Sequence, residues 1–175
     1  MENQQKSTPK IALNYGLILG VLSVLIHVIL FAMGKHLEQD WKISLISILV
    51  TTILIVAGIK KFKATNNGLL SIGQGLKTGI SIALISAIIY IAYTMLFMHV
   101  IAPESMGQAL EIASQKMIDE NPNLSDEQIE TAISMQEKFS SPTFLVPIML
   151  VVSLFIGFVI SMIASAILRK SEDLY

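Results

Sequence analysis

Three histidines and their methionine neighbours are the residues best suited to chemistry in this sequence. His27 lies inside a long apolar run, His36 follows that run, and His99 ends the stretch "MLFMH". Thioether and imidazole ligands together suit Cu(I), but methionine also fills irregular gaps in apolar packing. Because no group of these residues has a diagnostic ligand spacing, packing is the simpler interpretation. Neither a metal nor any other cofactor is expected.

The stretch "SIGQGLKTG" at residues 71–79 has the look of a phosphate-binding loop, because three glycines stand close to a Lys-Thr pair. A P-loop requires a glycine directly before the lysine, and a dinucleotide fingerprint requires a preceding strand and a later acid. Here Leu76 precedes Lys77, and the downstream region is apolar. The stretch therefore predicts the entry to a helix. No nucleotide or nucleic acid is expected as a partner.

Residues 119–130 match part of a calcium-binding loop. Oxygen-bearing side chains occupy its ligand positions: Asp119, Asn121, Asn123, Ser125, Glu127 and Glu130. The sharp turn of such a loop needs glycine, where this chain has Leu124. A helix start explains the same residues more simply, because Ser125 and Gln128 make a capping box and Leu124 and Ile129 a hydrophobic staple.

Four uncharged apolar runs dominate the chain, at residues 11–33, 43–59, 78–101 and 143–168. Each is near or above the roughly 17 to 25 residues that an α-helix needs to cross a bilayer. A membrane β-strand would be far shorter, and only a helix satisfies every backbone group within one span. The sequence therefore predicts an all-α polytopic membrane protein, a single domain over residues 1–175 with four transmembrane helices.

The distribution of lysine and arginine sets the predicted orientation. The 60–77 loop has four lysines and no acid, whereas residues 102–142 have two lysines and eight acids. Both termini and the 60–77 loop are therefore expected in the cytoplasm, with the chain in a bacterial cytoplasmic (inner) membrane. A two-helix hairpin over about 103–141 is expected on the extracytoplasmic side, broken at Asn121-Pro122-Asn123.

Small residues at intervals of four mark the helix faces predicted to pack, because close backbone approach holds membrane helices together. These residues are Gly16 and Gly20 in the first span, Gly75, Gly79 and Ala83 at the third, and Ser153, Gly157, Ser161 and Ser165 in the fourth. The stripe in the fourth span serves either packing within the chain or a dimer face. Packing within the chain is favoured, since four spans must first pack on each other.

The first and third spans share a spacing of small and polar residues that suggests a weak internal repeat, although chance alignment is the simpler explanation. The segment "GLILGVLSVLIH" aligns without gaps over "GISIALISAIIY", which places His27 over Tyr90. Apolar sequences align easily by chance. On this alignment the two spans run in the same direction, and His27 and Tyr90 form an intramembrane polar pair joined by a hydrogen bond, directly or through one water. A proton-coupling role for His27 is the alternative to this packing role.

Several motifs suggest a family. "NYGLILG" opens the first span, "GIKKFKATNNGLLSIGQGLKTG" leads into the third, "IAP" ends it, and "ILRK" closes the last span. Together with the acidic segment before that span, these motifs resemble the domain of unknown function family 4199, which consists of small bacterial four-span membrane proteins. The resemblance implies the membrane fold, but no activity and no catalytic residues.

An enzyme is not expected, because the sequence has neither a Ser/His/Asp arrangement nor a metal-protease motif. The sequence instead predicts a non-enzymatic membrane interaction or assembly module, which contacts the lipid bilayer and either a second copy or another membrane protein. The alternative is a small oligomeric transporter or channel subunit. A pathway needs polar residues along the full depth of a helix face, and the spans offer only Ser, Thr, His27 and Tyr90, which favours the module.

Overall fold

The computed structural model describes residues 2–38 and 40–170, and their side chains from residue 8 onward. The ends of the chain, whose cytoplasmic location is predicted, lie partly outside these residues. Six α-helices follow in order: α1 Glu2–Ala32, α2 Trp41–Thr65, α3 Ile72–Leu96, α4 Glu104–Glu120, α5 Asp126–Ser140 and α6 Pro142–Leu168. A π-helical turn, Phe97–Ile101, continues α3. Within the described residues the only β pairing is one bridge, between Leu70 and Lys170.

Four of these helices are long and apolar enough to cross a membrane: Thr8–Ala32, Trp41–Thr65, Ile72–Ile101 and Pro142–Leu168. The prediction of an all-α protein with four spans is therefore confirmed. The second and third helices are longer than the predicted runs 43–59 and 78–101, because the predicted limits stopped at lysines. A lysine can extend its side chain to the membrane surface, so the helix continues past it until a backbone stop signal.

Those stop signals lie between α2 and α3. Asn67 and Gly68 have φ values of 53° and 77°, a left-handed conformation that ends a helix. The backbone N–H of Gly68 donates to the carbonyl of Lys63 at 3.0 Å. Ser71 then begins α3 through a capping box with Gln74, in which both reciprocal hydrogen bonds are present. The glycine-rich stretch is thus a capped helix start.

One end of the bundle is sealed by hydrogen bonds, and we call it the lysine-rich end after Lys60, Lys61 and Lys63 of α2. Leu70 and Lys170 exchange two backbone hydrogen bonds there, at 2.9 and 3.0 Å. The Lys63 ammonium donates to the carbonyl of Leu168 at 2.8 Å, which places a cation at the negative end of the α6 dipole. The opposite end, which carries the 33–40 loop with α4 and α5, is the acidic end.

Helix α3 is the centre of the bundle, since α1, α2 and α6 all contact it. Along α1, a Cβ added at Gly16 would lie 2.7 Å from Ile85 Cβ, and one added at Gly20 would lie 2.8 Å from Ile89 Cδ1. The partner number rises with the α1 number, so α1 and α3 run in the same direction, as the repeat requires. At such short distances the hydrogen atoms of the two glycines fit between the helices, but a methyl group at either position would not.

The α3–α6 contact is an antiparallel interleaving of small residues. Gly75 lies against Ser165, Gly79 against Ser161, and Gly157 against Ala83, each too close to admit a Cβ. The fourth-span stripe thus packs within the chain at these three positions, and Ser153 lies beside a cavity described below. Gly58 of α2, which sequence analysis did not select, makes the same kind of contact with Ile82.

Burial is concentrated in the lysine-rich half of the bundle. The buried residues of α2 are Ile55, Gly58, Ile59 and Phe62, and those of α6 are Gly157, Ser161, Ala164 and Ser165. All eight lie in the half of their helix that approaches the lysine-rich end. The first halves of α2 and α6 contain no buried residue. The four spans are therefore tightly packed at one end and spread apart at the other.

Helices α4 and α5 form a separate pair at the acidic end. They contact each other, while α4 also contacts the π-helical turn and α5 contacts α6. The capping box at the start of α5 is present, because the Ser125 hydroxyl accepts from the N–H of Gln128 and the Gln128 side chain accepts from the N–H of Ser125. The residues that match a calcium loop thus include a hydrogen-bonded helix start.

Replacing Gly157 tests the α3–α6 contact. Gly157→Ala should lower the free energy of unfolding by about 1 to 3 kcal/mol, because the new methyl group overlaps the Ala83 side chain. Gly73→Ala is the matched control on α3, since nothing lies within 4 Å of its added Cβ; it should be neutral or stabilising by about 0.5 to 1 kcal/mol. Unfolding in mixed micelles measures both, and equal effects would contradict the described packing.

Candidate functional site

The spread of the helices at the acidic end creates a cavity of about 400 Å³. All four spans line it, and α2 contributes Ile43, Ser47, Val50 and Thr51, all from its unburied first half. Leu19, Val50 and Ala83 form the apolar part nearest the packed core. Polar groups of the lining are Ser23, His27, His36, Ser47, Thr51, Ser86, Tyr90 and Ser153, with Lys35 and Glu38 from the 33–40 loop.

His27 is hydrogen-bonded across the α1–α3 contact, but its partner is Tyr93. The distance from His27 Nδ1 to the Tyr93 hydroxyl is 2.9 Å, whereas the Tyr90 ring lies edge to face with the His27 ring at a centroid distance of 6.4 Å. The rings of His27 and Tyr90 thus meet as predicted, but the direct hydrogen bond of His27 is made about one helical turn further along α3. The gapless alignment set Gly16 over Gly79, whereas Gly16 packs on Ile85. Side-chain packing, not the repeat, sets the register.

A cluster of aromatic rings surrounds this hydrogen bond. Phe97 lies edge to face with His27 at 4.8 Å and with Phe31 at 5.0 Å between ring centroids. Phe31 in turn lies 4.9 Å from the ring of His36. Such edge-to-face pairs are favourable in apolar surroundings. The cluster therefore fixes the part of α1 near the acidic end against α3 and orients both imidazoles beside the cavity.

The π-helical turn positions Phe97 in this cluster. The N–H of Ala102 donates to the carbonyl of Phe97 at 2.8 Å, an i to i+5 bond that inserts one residue into the helix. Phe97 is buried, while Val100 and Ile101 on the same turn are exposed. Turns of this kind occur frequently at functional sites. Sequence analysis missed it, because the apolar run of α3 continues through it without any breaker residue.

His36 joins the 33–40 loop to the start of α4. Its Nε2 lies 3.3 Å from the Ser105 hydroxyl, which is itself buried. Its Nδ1 is buried and has no hydrogen-bond partner among the described protein groups. A buried polar atom without a partner is unfavourable, and His36 lines the cavity, so a rotation of its ring towards a bound molecule would gain a hydrogen bond.

His99 lies apart from the other two histidines. Its Nδ1 is 2.8 Å from the Met95 carbonyl of its own helix, and it lines a second cavity of about 250 Å³ together with Met98 and Met106. Within the described residues, no three His, Cys, Asp or Glu side chains are grouped as metal ligands. Of the methionine and histidine residues considered as Cu(I) ligands, Met98, Met106 and His99 line this second cavity together.

Three hydroxyl groups of the main cavity have their hydrogens engaged. Ser23 donates to the carbonyl of Leu19 at 2.9 Å, Ser47 to that of Ile43 at 3.0 Å, and Thr51 to that of Ser47 at 2.8 Å. Each oxygen keeps lone pairs that can accept a further hydrogen bond. Glu38 is the only carboxylate among the described lining residues. This arrangement is suited to binding a polar group.

Tyrosine substitutions distinguish the two possible partners of His27. Tyr93→Phe should lower the free energy of unfolding by about 0.6 kcal/mol, the mean for a hydrogen bond between membrane helices. Tyr90→Phe is the matched control and should have a smaller effect. In a His27→Phe background, Tyr93→Phe should add little, because the bond is already lost. A larger loss from Tyr90→Phe than from Tyr93→Phe would contradict the geometry.

Comparison with known proteins gives a family. No curated protein and no solved structure matches the chain. The model of one protein family, described as "Protein of unknown function (DUF4199)", matches residues 14–170, which include most of the first span, the other three spans and the α4–α5 pair. This match covers most of the chain and confirms the resemblance of its motifs. The chain therefore belongs to the DUF4199 family of proteins of unknown function.

Proposed function

We propose that this chain is a non-enzymatic interaction module of a bacterial cytoplasmic membrane, with both termini in the cytoplasm. In this proposal α4 and α5 form an extracytoplasmic hairpin that binds a partner protein. The four apolar spans support membrane embedding, and the lysine excess of the 60–77 loop supports the orientation.

The observation that carries the proposal is the surface of the α4–α5 pair. Its contacts with other helices are confined to the π-helical turn and α6, and Ser105 at its start also contacts His36. Large apolar side chains remain exposed on it, among them Ile112 at 50%, Met135 at 58% and Phe139 at 51%. Partly apolar surfaces of this kind, rimmed by polar residues, are typical of interaction sites.

Charge indicates which partner fits. Residues 102–142 have two lysines against eight acids, a net charge of minus six. A second copy presents the same negative surface and is repelled, whereas a cationic surface is attracted and steered. We therefore propose that the hairpin binds another protein through a cationic patch. Homo-oligomers, if formed, would use the lipid-facing helix surfaces.

The alternative is a subunit of a small oligomeric transporter or channel, and the observation in its favour is the main cavity. The cavity ends at Leu19, Val50 and Ala83. Beyond this floor, Ile55, Ile59 and Ile82 are fully buried, and the Leu70–Lys170 bridge seals the lysine-rich end. A route through one chain is thus blocked over half of its depth, which ranks this alternative second.

Site-specific photo-cross-linking in native membranes tests the interaction module. A benzoylphenylalanine at Met135 should give an adduct with another protein, whereas the same residue at Val159, on the lipid-facing side of α6, should not. Glu127→Lys lies two turns before Met135 on the same helix face and should reduce the yield several-fold, and Glu127→Gln should reduce it less. Physiological salt should be compared with high salt, because charge attraction is screened.

Orientation is the control for this experiment. The chain contains no cysteine, so single cysteines report cleanly. Gln115→Cys should react with an impermeant maleimide on intact cells, and Asn67→Cys should not. Absence of a Met135 adduct, an adduct of two copies of the chain, or insensitivity to Glu127→Lys would contradict the interaction module. Equal labelling of both cysteines would contradict the orientation.

A further inference from the structure

The main cavity has the dimensions and chemistry of a small-molecule site. Its volume of about 400 Å³ lies within the range of ligand pockets, roughly 300 to 1,000 Å³. Its lining on α1 runs from Leu19 to Leu30, a depth of roughly 16 Å at 1.5 Å per residue. The cavity is therefore long and narrow. Its deep end is apolar apart from Thr51, which follows Val50 on α2, and its other polar groups lie at mid-depth and towards the acidic end.

We propose that this cavity binds an uncharged amphiphile, an apolar chain or ring that carries a hydroxyl group. The apolar part would lie against Leu19, Val50 and Ala83. The hydroxyl would lie between the α2 hydroxyls and the imidazoles of His27 and His36, whose ring centroids are 6.3 Å apart. This site is separate from the proposed interaction surface of α4 and α5.

The need for a hydroxyl follows from the hydrogen-bond inventory. Ser47 and Thr51 already donate to carbonyls of α2, so each can only accept from a ligand. A ligand that bonds these two α2 oxygens must therefore bring a hydrogen-bond donor. His36 Nδ1 is buried without a protein partner and either donates or accepts, according to its tautomer. A hydroxyl group is both donor and acceptor, so it satisfies both kinds of partner, whereas an ether or a ketone only accepts.

The absence of charge on the ligand follows from the position of the charged residues. Among the described lining residues, only Lys35 and Glu38 have charged side chains, and both are exposed on the 33–40 loop. A carboxylate or ammonium group at the depth of Thr51 would lose its hydration without a compensating charge, which is strongly unfavourable. An uncharged hydroxyl loses far less and regains hydrogen bonds to the lining.

The opening of the cavity permits entry from the membrane surface. The first half of α2 is not buried against the other spans, and Lys35 and Glu38 mark the edge of the cavity at the acidic end. An amphiphile dissolved in the adjacent leaflet reaches this edge at the depth of its own hydroxyl group. It then moves into the space between α2 and α3 with its apolar part leading, until its hydroxyl group reaches Ser47 and Thr51.

Calorimetric titration of the full chain in lipid nanodiscs tests this site, with empty nanodiscs to subtract partition into lipid. The probe is para-hexylphenol. Its methyl ether, para-hexylanisole, has the same shape without the donor, and para-hexylbenzoate carries a charge. The phenol should bind saturably and about three- to tenfold more tightly than the ether, as expected for one hydrogen bond. The benzoate should show no saturable binding.

Two neighbouring threonines provide matched variants. Thr51→Val keeps the side-chain shape, removes the acceptor in the cavity, and should weaken phenol binding to the level of the ether. Thr52 also donates to its own helix, to the carbonyl of Ile48 at 2.8 Å, but does not line the cavity, so Thr52→Val should bind the phenol like the unmodified chain. Ser47→Phe fills the cavity and should abolish saturable binding of both neutral probes.

Several outcomes would overturn the proposal. These are no saturable binding of the phenol, equal affinities for the phenol and the ether, tightest binding of the benzoate, or equal effects of Thr51→Val and Thr52→Val. Thermal unfolding of each variant in the same nanodiscs confirms that it is folded. These titrations do not involve the hairpin partner, so their failure would leave the proposed interaction surface unaffected.

Discussion

Close contact between small residues at the lysine-rich half of the bundle is the interaction on which the rest of the structure depends. In lipid there is little hydrophobic drive between helices, so van der Waals contact and interhelical approach must hold them together. Gly79 against Ser161 and Gly157 against Ala83 bring α3 and α6 together with no room for a further methyl group. Gly58 does the same for α2 against Ile82. These contacts place α3 at the centre of the bundle.

The same contacts explain why the acidic half is open. The small residues that permit close approach lie towards the lysine-rich end, and the corresponding positions towards the acidic end carry rings. His27, Tyr93 and Phe97 fill the space between α1 and α3 with edge-to-face contacts. The first halves of α2 and α6 have no such contacts and are unburied. A bundle closed at one end and spread at the other necessarily contains a cavity between its helices.

The number of spans could be predicted from the sequence. An uncharged run long enough to cross the membrane must form a helix, because only a helix satisfies every backbone hydrogen-bonding group within one span. The sequence also predicted the α5 start, where Ser125 and Gln128 form a local signal that needs no tertiary context. The sequence did not predict the hydrogen-bond partner of His27. That partner depends on whether Gly16 packs on a glycine or on Ile85, and an alignment of apolar residues does not contain this information. The π-helical turn at Phe97 had no local signal either.

The cavity could not be predicted for a related reason. Its hydroxyl groups belong to Ser, Thr and Tyr residues on four separate helices, and each is unremarkable in its own span. Only the relative depth of the helices places Ser23, Thr51 and Tyr90 around one space. Gly58 was overlooked because no other small residue lies four positions before or after it in α2, so it belongs to no stripe of small residues. Its importance follows from its close contact with Ile82.

The most direct test of this account is the rate of cysteine modification along α2. In lipid nanodiscs, the variant Ser47→Cys should react with a small water-soluble methanethiosulfonate at least about tenfold faster than Ile55→Cys, because Ser47 lines the cavity and Ile55 is fully buried in the packed half. Leu49→Cys, on the lipid-facing side, should also react slowly, since a thiol in lipid does not ionise readily. Equal rates at positions 47 and 55, or faster modification at 55, would contradict a bundle that is closed at its lysine-rich end and open at its acidic end.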